Sequence, residues 1–128
     1  MIRKIIQIGI IINGIYDILC SLCILKIISI PVLNDLHFSM YKNKLNNQEN
    51  RLLAYWIFSY GIVRLTCGIN LKNKICSYIA MNTYIVESTA TINESVVKNK
   101  MHKNRALFVI LFSILIILLL LQYYIIKN

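Results

Sequence analysis

The sequence predicts an all-α, polytopic membrane protein, with four transmembrane helices packed as an antiparallel bundle in a single membrane domain. Three observations lead there. Of its 128 residues, 58% are hydrophobic and only 15% charged, more apolar surface than a soluble domain of this size can bury. Only 4 Gly and 1 Pro are present and no internal period is visible, so collagen-like and repeat architectures do not fit, and disorder is excluded by the same hydrophobicity. The apolar residues also fall into four runs, each near the roughly 20 residues that cross about 30 Å of hydrocarbon.

The first expected span covers about residues 5–28, interrupted by Asn13, Asp17 and Lys26 and stopped by Pro31, which has no amide hydrogen to donate. Arg3 and Lys4 imitate the start of a signal peptide, but the apolar run is too long for an h-region and no A-x-A-like site follows. A polar loop, about residues 33–51 and rich in Asn, is the only connection long enough to fold separately. The second span, about 52–71, carries Arg64 in its C-terminal half. The third, about 75–97, is the least apolar, with Ser77, Asn82, Thr83, Glu87 and Glu94 among its polar residues. Only a bundle can shelter it. The fourth, about 106–126, has no formal charge and lies between Lys103 and Arg105 on one side and Lys127 on the other. The hinges around residues 72–74 and 98–105 leave room for little more than a reversal, hence antiparallel neighbours.

The net charge of +9 resides mainly at the helix ends, where Lys and Arg attract lipid headgroups. Membrane lipid is therefore an expected partner. Nucleic acid is not, since stacking aromatics do not alternate with these bases. Lys42, Lys44, Arg51, Lys98, Lys100, Lys103 and Arg105 lie on one side and Arg3, Lys4, Lys72, Lys74 and Lys127 on the other. That count faces both termini away from the cytosol.

Ionisable residues inside spans are costly and should face protein or water. Asn13 and Asp17 are one turn apart on the first helix, with Tyr16 and Cys20 beside them. Trp56, Tyr60 and Arg64 follow one another at i,i+4 steps on the second, and Ser77, Tyr84, Glu87, Thr91 and Glu94 share a face of the third. Arg64 is expected to neutralise Asp17, Glu87 or both, leaving Glu94 near the interface. Asn13, Asp17, Tyr60, Arg64, Tyr84, Glu87 and Glu94 thus form an expected intramembrane polar network. It is read either as a polar relay or substrate site, or as polar contacts that hold the helices together.

Cys20 and Cys23 form a C-x-x-C pair, but inside an apolar span, where a reactive thiolate is not expected. With Cys67 and Cys76 they read as buried thiols packing like small hydrophobes. His37 and His102 stand in separate loops, so no metal site is expected. Asn93-Glu94-Ser95 fits the glycosylation pattern but sits at the end of a span and is expected to be unmodified. No phosphate loop, nucleophile elbow or histidine cluster is present, so the chain is read as non-enzymatic and without cofactor.

Arg51, Trp56, Arg64 and Cys67, then Asn73 and Lys74 in the hinge, Thr83 with Tyr84, and Glu94 carry a resemblance to the ergosterol biosynthetic protein 28 family. Phe112 to Leu115 and Tyr123 in the last span are compatible with it, so the resemblance covers about residues 51–126. Ala54, Glu87, Ala90 and Thr91 depart from the family pattern, and the first span and its loop match poorly. The resemblance implies a four-span protein of the endoplasmic reticulum, a non-catalytic scaffold that tethers the enzymes of sterol C-4 demethylation. It makes Arg51, Trp56, Arg64, Asn73, Thr83 and Glu94 structural or partner-facing. Self-association is a further expectation. Two other readings stand beside it: a small transport or pore-forming protein with a polar path through Asp17, Arg64, Glu87 and Glu94, and a viral envelope or structural membrane protein.

Overall fold

The computed structural model describes residues 1–127. It is all-helical, with α1 (Ile2–Ile24), α2 (Asn47–Ile69), α3 (Lys74–Ile92) and α4 (Lys103–Leu120). The last two continue into π-helical turns at Asn93–Val97 and Leu121–Ile126. Among the described residues there is no strand, only an isolated bridge between Tyr41 and Met101. Among the described residues three helices are long and apolar enough to cross a membrane: α1, α2, and α4 with its π-helical continuation. The third expected span, α3, lies outside that set.

The helix ends differ most from expectation in two places. The first helix stops at Ile24, well before Pro31, because the chain turns through a Schellman arrangement. Lys26 takes a left-handed φ of 60°. Its amide donates to the Cys23 carbonyl at 3.0 Å, and the Ile27 amide donates to that of Leu22 at 3.0 Å. Both bonds satisfy carbonyls the helix end would leave open. A lysine fills a position where glycine is usual, so composition offered no stop signal. The second helix starts earlier than residue 52 because the polar stretch before it supplies its own cap. Asn46 Oδ1 accepts from the Glu49 amide at 2.8 Å, and Asn46 Nδ2 donates to Glu49 Oε1 at 2.7 Å. The end of the expected loop is therefore the capped first turn of α2.

Packing is tightest between α1 and α2, where glycines bring the backbones together. A Cβ on Gly14 would sit 2.7 Å from the Leu65 amide nitrogen and 2.9 Å from the Gly61 carbonyl oxygen. Gly61 faces Gly14 and Asp17 in return, and Gly68 faces Ile10 and Ile11. Small residues at such crossings let helices approach closely. α3 packs mainly on α4, while α1 and α4 scarcely touch.

Two apolar clusters form the core. One joins Ile6, Ile10, Leu71, Tyr84, Leu120 and Tyr124 among others, and the second joins Ile24, Ala54, Ile57 and Tyr60. At one end, Gln7 Nε2 donates to the last carbonyls of α2, Gly68 and Ile69, and Tyr124 donates to the Arg3 carbonyl at 2.6 Å. At the other, the α1–α2 connection is laced to the α3–α4 connection. The Lys42 amide donates to the Lys100 carbonyl at 2.9 Å, the His102 amide to that of Met40 at 2.8 Å, and the Arg105 guanidinium to that of Ser39. The long connection is thus docked and does not form a separate unit.

Candidate functional site

Between the two clusters lies a polar layer centred on Arg64, which is fully buried. Its i,i+4 neighbour Tyr60 lies one turn back on α2, so both project to the same side of the helix. All three kinds of guanidinium nitrogen are engaged. Nη1 donates to Asp17 Oδ2 at 2.7 Å, Nη2 donates to Glu87 Oε2, and Nε donates to Thr83 Oγ1 at 3.0 Å. The planar group also lies 4.4 Å from the Tyr60 ring centroid and 3.9 Å from that of Tyr84. A cation held between two aromatic faces and two carboxylates has its hydration replaced on every side. Of the alternatives for Arg64, the pairing with both acids is the one observed.

The layer extends outward from there. The Tyr84 hydroxyl donates to Asn13 Oδ1 at 2.7 Å, tying α3 to α1. Trp56 is half-buried and meets Tyr60 edge-on, with ring centroids 5.3 Å apart. Asn13, Asp17, Tyr60, Arg64, Tyr84 and Glu87 are therefore one network spanning α1, α2 and α3. Glu94 stands apart from it. Glu94 sits in the π-helical turn, half-buried, where its backbone carbonyl accepts from the amides of Lys100 and Met101.

The other singled-out residues have local duties. Asn73 caps α3 by accepting from the Ile75 amide at 2.9 Å, Thr83 accepts from Arg64, and Arg51 is exposed on the first turns of α2. Ser95 of the glycosylation pattern is buried and donates to the Thr91 carbonyl at 2.7 Å. Cys20, Cys23 and Cys67 are buried free thiols, and Cys76 packs half-buried against the cluster containing Cys67. Among the described residues no group of three His, Cys, Asp or Glu side chains converges to hold a metal ion.

One feature escaped the sequence reading altogether. Because α1 and α4 scarcely touch, a cleft of about 890 Å³ opens between them, roofed by the α1–α2 connection. Asp17, Glu87, His37 and Arg105 are the ionisable residues that line it. The only sequence signal was the spacing of Phe108 and Phe112, which on a membrane helix reads as lipid contact.

His37 Nδ1 is buried beside this cleft without a hydrogen-bond partner. Burial disfavours the charged imidazolium and pushes its pKa down to about 4. The unfolded chain binds that proton near pH 6.5, as free histidine does, so between those values the unfolded state holds the extra proton. Stability contributed by the neutral ring is present above about pH 6.5 and is lost as the pH falls towards 4. An unfolding midpoint that declines between pH 6.5 and 5 in the wild type, and declines less in His37→Gln, is the expected result.

The family described as Erg28 like protein matches residues 10–119. That match reaches upstream of the residue-by-residue resemblance and takes in most of α1 and the connection after it, the elements that supply Asn13, Asp17 and His37. No curated protein and no solved structure matches the chain significantly. With most of its length covered, the chain belongs to the Erg28-like protein family.

Proposed function

We propose that the protein is a non-catalytic membrane scaffold that holds enzymes of sterol C-4 demethylation together on the endoplasmic reticulum membrane. Family membership carries this reading, and it supports a membrane protein related to sterol biosynthesis. The polar layer supports it further: Arg64 donates inward to groups of α1 and α3, an arrangement that locks helices into a rigid platform.

The platform proposed is one membrane domain of four spans in an antiparallel bundle, α3 included. Two facts favour α3 as a span. Its outer face exposes Ile75, Ile79, Ile85, Val86 and Ile92, which suits contact with lipid. Its hydroxyls return to the helix itself, Thr83 donating to Ala80, Ser88 to Ile85 and Thr91 to Glu87. A hydroxyl satisfied within its own helix needs no water. The outer faces of α2 and α4, with Tyr55, Phe58, Leu111 and Leu115 exposed, are the surfaces for lipid and enzyme partners. Scaffolding acts through effective concentration, which reaches the order of millimolar for tethered partners and passes an intermediate on before it diffuses away.

The test is affinity purification of the tagged full chain from membranes, with sterol analysis of cells that lose it. Co-recovery of sterol-demethylating enzymes and accumulation of 4-methylsterols are expected. Recovery of the chain alone, or ion flux through liposomes holding the pure protein that Glu87→Gln abolishes, overturns the reading.

A further inference from the structure

We propose that the cleft between α1 and α4 binds a flat, membrane-dissolved alcohol of sterol size, with its hydroxyl turned towards Asp17 and Glu87. The inference rests on the sterol-related reading above for its choice of alcohol, but not on any enzyme partner.

Size and access come first. At about 890 Å³ the cleft falls in the range of pockets that enclose a whole small molecule. It lies between two apolar membrane-crossing helices that scarcely touch, so a ligand enters sideways from the lipid.

Shape selects the body of the ligand. On the α4 side, Phe108 and Phe112 stack with ring centroids 6.4 Å apart and only 15° between their planes. They give the cleft an aromatic side. On the α1 side stands Gly9, whose missing side chain leaves nothing within 4 Å of where a Cβ would be. An aromatic side opposite the gap at Gly9, with Ile12 and Tyr16 beside it, leaves a space that suits rigid fused rings better than a flexible acyl chain that must be ordered to fill it.

Chemistry selects the head. Asp17 and Glu87 each give Arg64 one oxygen, Oδ2 and Oε2, leaving the other oxygen of each carboxylate outside the ion pairs. His37 Nδ1, buried and unpartnered, lines the same cleft. The carboxylate oxygens can only accept, so they want a donor. An alcohol O–H supplies one without adding charge. A phosphate headgroup meets two carboxylates, and an ammonium meets Arg105 in the lining of a chain whose net charge is +9.

The experiment uses the purified full chain in neutral detergent with a diazirine-bearing sterol. Wild type is expected to crosslink within residues lining the cleft. Gly9→Phe, which fills the gap without meeting another atom at its Cβ, should lower labelling at least tenfold without lowering the unfolding temperature. Phe108→Ala, which removes one of the two aromatic rings from an exposed position, should lower it as well. The 3-O-methyl ether of the sterol should compete poorly, as should phosphatidic acid and a long-chain amine. Labelling of both variants at the wild-type level, or full displacement by the ether, the phospholipid or the amine, overturns the proposal. Specific labelling without enzyme co-recovery removes the scaffold and leaves the cleft, and the reverse result removes only the cleft ligand.

Discussion

Replacing Arg64 with methionine is expected to destabilise the folded chain by about 3–5 kcal/mol, the cost of breaking a buried pair by removing one partner. The arginine is the sole cation between Asp17 and Glu87, and its side chain is 1% exposed. Methionine fills much of the volume between Tyr60 and Tyr84 but leaves two carboxylates facing each other with no cation. The loss should be largely recovered when Asp17→Asn and Glu87→Gln are added, since the triple variant contains no uncompensated charge. Replacing a buried ion cluster by neutral groups is often close to neutral in stability. Arg64→Lys should recover little, because an ammonium cannot reproduce the planar fork that reaches Asp17, Glu87 and Thr83 together. Unfolding by denaturing detergent, followed by circular dichroism for the whole set, measures this. Equal stability of Arg64→Met and wild type, or no recovery in the triple variant, removes the ion cluster as an organising contact.

The second large effect is expected at Gly14. A Cβ there lies 2.7 Å and 2.9 Å from backbone atoms of α2, which cannot rotate away as a side chain can. Gly14→Ala must push the helices apart, at a cost of about 1–3 kcal/mol for overpacking. Gly14→Leu should prevent the native pairing of α1 with α2. The displacement also draws Asp17, less than one turn away, from Arg64, so the cost is not independent of the ion cluster. Gly9→Ala on the same helix is the control. Nothing lies within 4 Å of its Cβ, so it should stabilise by roughly 0.5–1 kcal/mol through helix propensity alone. Similar unfolding curves for the two alanine variants would show that the α1–α2 crossing is not as close as described.

Parts of this architecture were legible from the residues themselves. A run such as Ala106 to Ile126 states its own environment, because roughly 20 apolar residues without a formal charge have few stable settings besides a bilayer. The pairing of Arg64 with the acids followed from cost: an intramembrane charge needs an opposite one, and few were available. The ends of α1 and α2 were not legible in the same way. The stop at Ile24 uses Lys26 in a conformation its side chain does not advertise, and the start at Asn47 depends on a mutual bond between Asn46 and Glu49 inside what composition reads as loop. Hydrophobicity marks where lipid can be, whereas caps mark where backbone hydrogen bonds end.

By itself, then, the sequence determined that the chain is helical and membrane-bound, and which side chains within each helix share a face. Those are properties of one segment at a time, set by the period of the helix and the cost of charge in hydrocarbon. Only the tertiary structure decided that Arg64 takes both Asp17 and Glu87, that Glu94 stays apart, and that α1 meets α2 through Gly14 while leaving α4. A contact belongs to two surfaces, and so does a gap. The cleft exists because glycine draws α1 tightly onto α2 and away from the aromatic face of α4, a competition between pairs of helices that no single helix records.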